Sequence, residues 1–223
     1  MRDGDARQQA EVAVFSFLES GLGELDLSVP EGSAERLAQL VFLLERWSGK
    51  INLTGYRDPL EIAGGLVLDA AALLSTVPEA FEVGKLADLG SGAGFPGLPI
   101  AILCPELDVW LVDSRSKRHH FQREARRRIG LSNVYPVLGR SEQVNPELCD
   151  IVVAQAMAQP EVAIARMSQW ARPGALLVLP ASENAVKPSP STGLTPPERR
   201  EYVVPHTDRS RQLWVSRKID ASL

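Results

Sequence analysis

The sequence predicts an α/β protein: a mostly parallel Rossmann-like sheet with an antiparallel last strand, preceded by an N-terminal helical extension. Three observations carry this. Before about residue 80, apolar residues recur at helical spacing; after about residue 84, short apolar runs alternate with helical stretches. A glycine-rich run, Asp88-Leu89-Gly90-Ser91-Gly92-Ala93-Gly94-Phe95-Pro96-Gly97, stands between an apolar run and a helical one. The next apolar run ends in an acid, Asp113. The division expected is a helical extension at 1–80 and a sheet domain at 81–223.

The elements follow in order. Ala10, Val14, Phe17 and Leu18 fall on one helical face, and Gly21 is placed to end that helix. Leu37, Leu40, Val41, Leu44 and Trp47 form a second stripe of period 3.6. Asp58 opens a third helix as an N-cap acid, with Pro59 in the first turn and Glu61 three residues on. The pair Gly64-Gly65 inside that helix costs roughly 1 kcal/mol per glycine relative to alanine. Strands are expected at 85–89, 108–113, 133–138, 150–154 and 175–179, with helices at 95–104, 115–129 and 160–171 between them. Such alternation builds right-handed βαβ units. The segment 182–200 contains Pro-Ser-Pro-Ser-Thr-Gly-Leu-Thr-Pro-Pro-Glu and reads as a loop. Two further strands follow at 201–205 and 212–217.

The chain of 223 residues, 44% apolar and 23% charged, has ample apolar content for a sizeable core. A net charge of −4 argues against coating nucleic acid through a global positive field, while leaving room for a local basic face. The opening Met-Arg-Asp-Gly-Asp-Ala-Arg has no apolar core of a secretory signal. No stretch approaches the ~18–20 uninterrupted apolar residues of a membrane span. Cys104 and Cys149 show no metal-ligand spacing, so no metal is expected. A cytoplasmic monomer away from membranes is the expectation.

The glycine run suits a backbone that turns sharply and approaches a ligand without Cβ atoms in the way. Amides at the start of the following helix suit an anion such as the carboxylate of methionine. Asp113, 19 residues past Gly94, is placed to accept from both hydroxyls of a ribose. Gly92, Gly94 and Gly97 also fit GxGxxG, so a nicotinamide dinucleotide competes with S-adenosylmethionine (SAM), and an empty structural turn competes with both. The dinucleotide motif wants its first glycine directly after the strand. Here Gly90 fills that place, giving GxGxG. SAM is therefore preferred, with Gly90, Gly92 and Gly94 cradling its methionine end and Asp113 holding its ribose.

Missing parts narrow the methyl acceptor. Methylation of a base amino group needs an [Asn/Asp]-Pro-Pro-aromatic turn after the fourth strand, and here the run is Ala154-Gln155-Ala156-Met157-Ala158-Gln159-Pro160. Pyrimidine C5 chemistry needs a nucleophilic cysteine, and both cysteines sit in structural positions. Guanine N7 is a lone-pair nucleophile with no proton to remove, so alignment carries the catalysis.

These stretches resemble the glucose-inhibited division protein B family, bacterial 16S rRNA guanine-N7 methyltransferases. The resemblance covers about residues 35–180, with a weaker echo at 212–218. Trp47 with Ile51-Asn52-Leu53-Thr54 and Arg57-Asp58-Pro59 carries part of it, and Asp88 to Gly97 is nearly the family's form. Asp113-Ser114 with Lys117-Arg118 resembles Asp-Ser-x-x-Lys-Arg, and Gly139-Arg140-Ser141-Glu142 resembles Gly-Arg-Ala-Glu. The resemblance implies a class I methyltransferase fold and a guanine N7 of small-subunit rRNA as the target. It also implies that Ser141 and Glu142 border the adenine. Asp88, Ser91, Phe95, Pro96 and Ser114 complete the expected cofactor set.

The departures lie on the substrate side. Where the family carries Arg-His-x-x-Asp-Ser, this chain has Gly65-Leu66-Val67-Leu68-Asp69-Ala70 and keeps only the acid. Ser-Arg-Ala becomes Ala154-Gln155-Ala156, and Leu-Lys-Gly becomes Leu179-Pro180-Ala181. Asp69 and Gln155 are thus the substrate-side candidates, Gln155 as a reader of a base edge or as a strand-end cap. A paralogue that binds SAM but has lost or changed the rRNA substrate is the competing reading. Arg115, Lys117, Arg118 and Arg123 are candidates for rRNA phosphates; a solvated helix face accounts for them as simply. A second cluster, Arg199, Arg200, Arg209, Arg211, Arg217 and Lys218, flanks the last strands.

Overall fold

The computed structural model describes residues 2–78, 84–155 and 159–220. Its elements are α1 (Arg2–Gly23), α2 (Ser33–Ser48), α3 (Pro59–Ile62), a π-helical stretch (Ala63–Leu68) and α4 (Asp69–Thr76). Then come β1 (Gly84–Leu89), α5 (Gly97–Leu103), β2 (Leu107–Asp113), α6 (Ser116–Ile129), β3 (Val134–Leu138) and β4 (Cys149–Ala154). The chain continues through α7 (Pro160–Trp170), β5 (Ala171–Ser182), β6 (Glu198–Val203) and β7 (Ser210–Arg217).

The seven strands lie in the order β3-β2-β1-β4-β5-β7-β6. The first five are parallel; β7 runs antiparallel to β5, and β6 to β7. β1 is central, and its last four residues are buried. Successive side chains of a strand point to opposite faces. Leu86 accordingly joins one apolar layer, with α1, α2, α5 and α6, and Ala87 and Leu89 join the other, with Ala163, Met167 and Trp170 of α7. The first layer runs unbroken from Val14 and Leu18 through Leu98 and Phe121 to Val153, so the N-terminal helices share the sheet's core.

Local choices explain the helical part. The Asp58 carboxylate accepts from the amides of Leu60 (2.8 Å) and Glu61 (3.3 Å), capping α3 as its sequence position suggests. Gly21 does not end α1, which continues to Gly23 and buries Leu22. A Cβ on Gly21 would lie 2.5 Å from Leu68 Cδ1, so this glycine lets α1 approach the π-helical stretch. The run Pro59–Thr76 is long and apolar enough to span a membrane by composition, but 67% of it is buried inside the fold. It is a core helix with apolar contacts on most sides.

Three boundaries differ from expectation for physical reasons. α5 starts at Gly97, not at 95, because Phe95 and Pro96 complete the preceding turn. β5 begins at Ala171, four residues early, pairing Ala171 with Cys149 before a register shift towards Ile151. The segment after Ser182 is shorter than expected, since β6 opens at Glu198, and it is tied down. Gln212 Nε2 donates to the carbonyls of Ser182 (2.9 Å) and Ala185 (2.8 Å), and Leu194 bridges Lys218.

Asp88 caps α5 from the neighbouring strand. Its Oδ2 accepts from the Gly97 amide at 2.9 Å, satisfying one of the donors a helix start leaves open. The residue is 0% exposed and its Oδ1 has no partner. Burial raises its pKa from 3.8 to about 7, opposed by the Gly97 amide and reinforced by Asp113. A folded-state pKa above the unfolded value gives stability that is complete below pH 4 and is lost as pH rises towards 7. Asp88→Asn keeps an acceptor for Gly97 without the charge. Its stability relative to the natural chain is expected to grow between pH 4 and 7 by up to about 4 kcal/mol, then level off. Calorimetric melting across that range checks this; parallel pH profiles for the two chains would contradict it. Asp58→Ala is expected to cost about 1 kcal/mol in urea denaturation.

Candidate functional site

Strand order reverses between β1 and β4, and loops leaving the carboxyl ends of parallel strands form a crevice at such a point. The loop after β1 is held there by its own backbone. The amides of Gly90 and Ser91 both donate to the Val112 carbonyl (2.8 and 3.1 Å), and those of Gly94 and Phe95 to the Ser91 carbonyl (2.8 and 2.9 Å). Gly90, Gly92 and Gly94 have φ of +72°, +60° and +87°, a region that side chains disfavour. From beneath, Gln122 Nε2 donates to Ser91 Oγ (2.8 Å) and to the Gly92 carbonyl (2.9 Å).

Above the loop lies a polar cleft of about 330 Å³. Of the sequence candidates, Gly90, Asp113, Ser114, Ser141 and Glu142 line it, as do Arg115 and Arg118. The Asp113 carboxylate collects three donors: Gly92 N (3.0 Å) and Arg118 Nη1 (3.1 Å) on Oδ2, and Arg115 N (2.8 Å) on Oδ1. At the other end Arg166 of α7 pairs with Glu142 at 3.2 Å, and Trp170 Nε1 donates to the Ser141 carbonyl at 3.0 Å. Asp88, Ser91, Gly94, Phe95 and Pro96 are buried and, with the half-buried Gly92, are not part of the cleft wall; they shape the loop from behind. Sequence reasoning missed Gln122 and Arg166. Gln122 had a signal, a polar residue on the buried stripe with Ala125 and Ile129, whereas Arg166 had none.

A second cavity, of about 320 Å³, opens beyond β4 and is lined by Gln155, Pro180, Ala181, Ser182, Tyr202 and Arg211. Asp69 lies behind it, 6% exposed. Its Oδ1 accepts from Tyr202 Oη at 3.0 Å, and Arg211 Nη2 stands 3.7 Å from its Oδ2. Burial raises the Asp69 pKa, against the pull of Arg211, Tyr202, Arg209 and a hydrogen bond from Gln155. The two substrate-side candidates, 86 positions apart in the chain, are thus brought together. Ala156, Met157 and Ala158 lie outside the described residues. Burial pushes the Cys104 thiol up to about 11 and Cys149 up to about 12, far from a nucleophile's range.

The four basic candidates of α6 separate. Arg115, Lys117 and Arg123 are exposed, and Arg118 turns onto Asp113. Further along the helix Arg127 and Arg128 pair with Glu124. Arg123 and Trp47 help line a third cleft, of about 760 Å³, with His120, Arg126 and Arg127.

Comparison with known proteins agrees with this architecture. Residues 33–185 match the family model described as rRNA small subunit methyltransferase G. A ribosomal RNA small subunit methyltransferase G of Chromohalobacter salexigens is 41% identical over 142 residues, 64% of this chain and 66% of the relative. The protein of that name from an Azoarcus species is 34% identical over 204 residues, covering 89% and 93%. Among solved structures, a putative methyltransferase, yhhF, from Escherichia coli superposes with a TM-score of 0.52 at 14% identity, over 66% of this chain and 83% of that one. TrmN from Thermus thermophilus gives 0.53 at 21% identity, over 67% and 48%. At those identities the structures speak to the shared Rossmann-like methyltransferase fold, and the sequence relatives speak to the family. With its glycine loop, its Asp113 cleft and a match over most of its length, the chain belongs to the rRNA small subunit methyltransferase G family.

Proposed function

We propose that the protein transfers a methyl group from SAM to N7 of a guanine in small-subunit rRNA. The observation that carries the reading is the Asp113 carboxylate on the wall of a polar cleft that Gly90, directly after β1, also lines. The relatives named above are rRNA small-subunit methyltransferases, which supports the reaction class and the substrate.

The residues present fit the cofactor. A cleft of about 330 Å³ is within the range of small-molecule sites. Gly90 leaves the backbone bare at the cleft for the methionine end while Gly92 and Gly94 set the turn of the loop behind it, Asp113 offers a carboxylate to the ribose diol, and Ser141 and Glu142 border the adenine. When bound, SAM supplies an electrophilic methyl on a sulfonium. The chain's part is alignment. Guanine N7 carries no proton, so no base need be free, and Asp69 is already engaged with Tyr202, Arg211 and Gln155. The cavity beside Asp69 and Gln155 takes the target base in this reading. Lys117 and Arg123 on α6, and Arg115 just before it at the edge of the cleft, stand as phosphate contacts. A ribosomal substrate implies a cytoplasmic enzyme.

Asp113→Ala is expected to weaken SAM binding at least tenfold in calorimetric titration, the scale of losing charge-assisted hydrogen bonds. Because Asp113 also receives the amides of Gly92 and Arg115, its melting temperature is measured alongside. Unchanged SAM affinity in a folded variant would remove the ribose assignment. The reaction itself is tested by transfer of radiolabelled methyl from SAM to small ribosomal subunits lacking the native modification. Label on guanine N7 is expected; label elsewhere, or none with SAM bound, would refute the reading.

A further inference from the structure

Gly64 and Gly65 sit in the π-helical stretch that leads to Asp69, and the structure gives each a reason. A Cβ at residue 64 would lie 3.1 Å from Thr207 Cγ2. A Cβ at residue 65 would lie 2.6 Å from Arg209 Nη1 and 2.7 Å from the Tyr56 ring. The turn between β6 and β7 therefore rests on bare helix backbone, and the Arg209 guanidinium fills the space over Gly65. Tyr56 fixes it there. Arg209 Nη1 donates to Tyr56 Oη at 2.5 Å, and the guanidinium stands 5.1 Å from the ring centroid. The turn is closed by Val204 N donating to the Arg209 carbonyl at 3.0 Å. The charge reaches the substrate side, for Arg209 is among the groups that draw the Asp69 pKa down.

Position 65 is where the family pattern described above has its arginine. We propose that Arg209 supplies that guanidinium from the opposite side, acting as a substrate-positioning residue that holds an rRNA phosphate beside the Asp69 cavity. The cation has moved from the helix to the β6–β7 turn, and the glycine at 65 makes room for it. A side chain at 65 would displace the Arg209 guanidinium from its place against Tyr56. The inference rests on the rRNA reading and adds to it that the substrate-side cation, absent from positions 65 and 155, is present in space.

The test is a charge swap read by methyl transfer to small ribosomal subunits, with SAM affinity and melting temperature measured on every variant. Arg209→Met keeps bulk and removes charge. It is expected to raise KM for the subunit about tenfold, the scale of one charge-assisted contact, with kcat and SAM affinity little changed. Its KM should also depend less steeply on salt, by about one phosphate contact. Arg209→Gly with Gly65→Arg is expected to restore KM to within about threefold, and Arg209→Gly with Gly65→Met is not, because space alone is refilled. Gly65→Arg in the natural background should lower the melting temperature. If the swapped chain melts early, Arg209→Lys decides beside Arg209→Met, the lysine retaining most of the affinity for the subunit. An unaltered KM in Arg209→Met, or equal recovery by the arginine and methionine swaps, overturns the assignment. A natural chain that labels no subunit sinks the rRNA reading and this inference together; labelling that ignores residue 209 sinks this inference alone.

Discussion

The carboxylate of Asp113 is the constraint on which the candidate site depends. It closes β2 and takes donors from three separate pieces of chain: Gly92 in the loop after β1, Arg115 just before α6, and Arg118 inside that helix. A buried carboxylate left without such partners would cost several kcal/mol, so the sheet, the glycine loop and the start of α6 are held in one arrangement. The loop is also stitched to β2 through the Val112 carbonyl and braced by Gln122 from the same helix. β1 and β2 thereby present their ends at one level, which is what a cleft at the reversal of strand order needs.

Asp88 and Asp113 are two acids at the ends of adjacent parallel strands, and they behave differently for a simple reason. Asp88 has one donor and no exposure; Asp113 has three donors and borders a cleft. Burial without enough partners favours the neutral acid, which suits Asp88 to organising the start of α5. Asp113, supplied with donors from the loop and from the start of α6 and open to a cleft, is placed to meet hydroxyl groups. The division of labour follows from where each backbone amide points.

Much of the fold and of the cofactor side was legible in the sequence because it is local. The period change near residue 84, the glycine run and the acid at the end of β2 are patterns within a few residues of one another, and the strands they imply were found. The side beyond β4 was legible only as a list of losses at 65, 66, 155 and 180. What stands there comes from elsewhere in the chain: Tyr202 and Arg211 on the last two strands, and Arg209 on the turn between them. No spacing rule links Gly65 to Arg209, since their relation is one of shared volume. The early start of β5 escaped for a similar reason, because Ala171 follows α7 without a break and is a strand residue only through its pairing with Cys149.

The docking of the β6–β7 turn on Gly64 and Gly65 also bears on the order in which the protein becomes complete during synthesis. The cleft at Asp113 is drawn from residues 90–166, one continuous span of the chain. The cavity beside Asp69 and its surroundings draw on Tyr56 and Asp69 from the first third and on Tyr202, Arg209 and Arg211 from the last two strands and their turn. As the chain leaves the ribosome, the parts of the first cleft are all present some forty residues before the last wall of the second cavity. A shortened chain ending before β6 would carry every residue of the first cleft and lack Tyr202 and Arg211 of the second cavity. The two hollows are thus separable in chain length, even though they share one sheet.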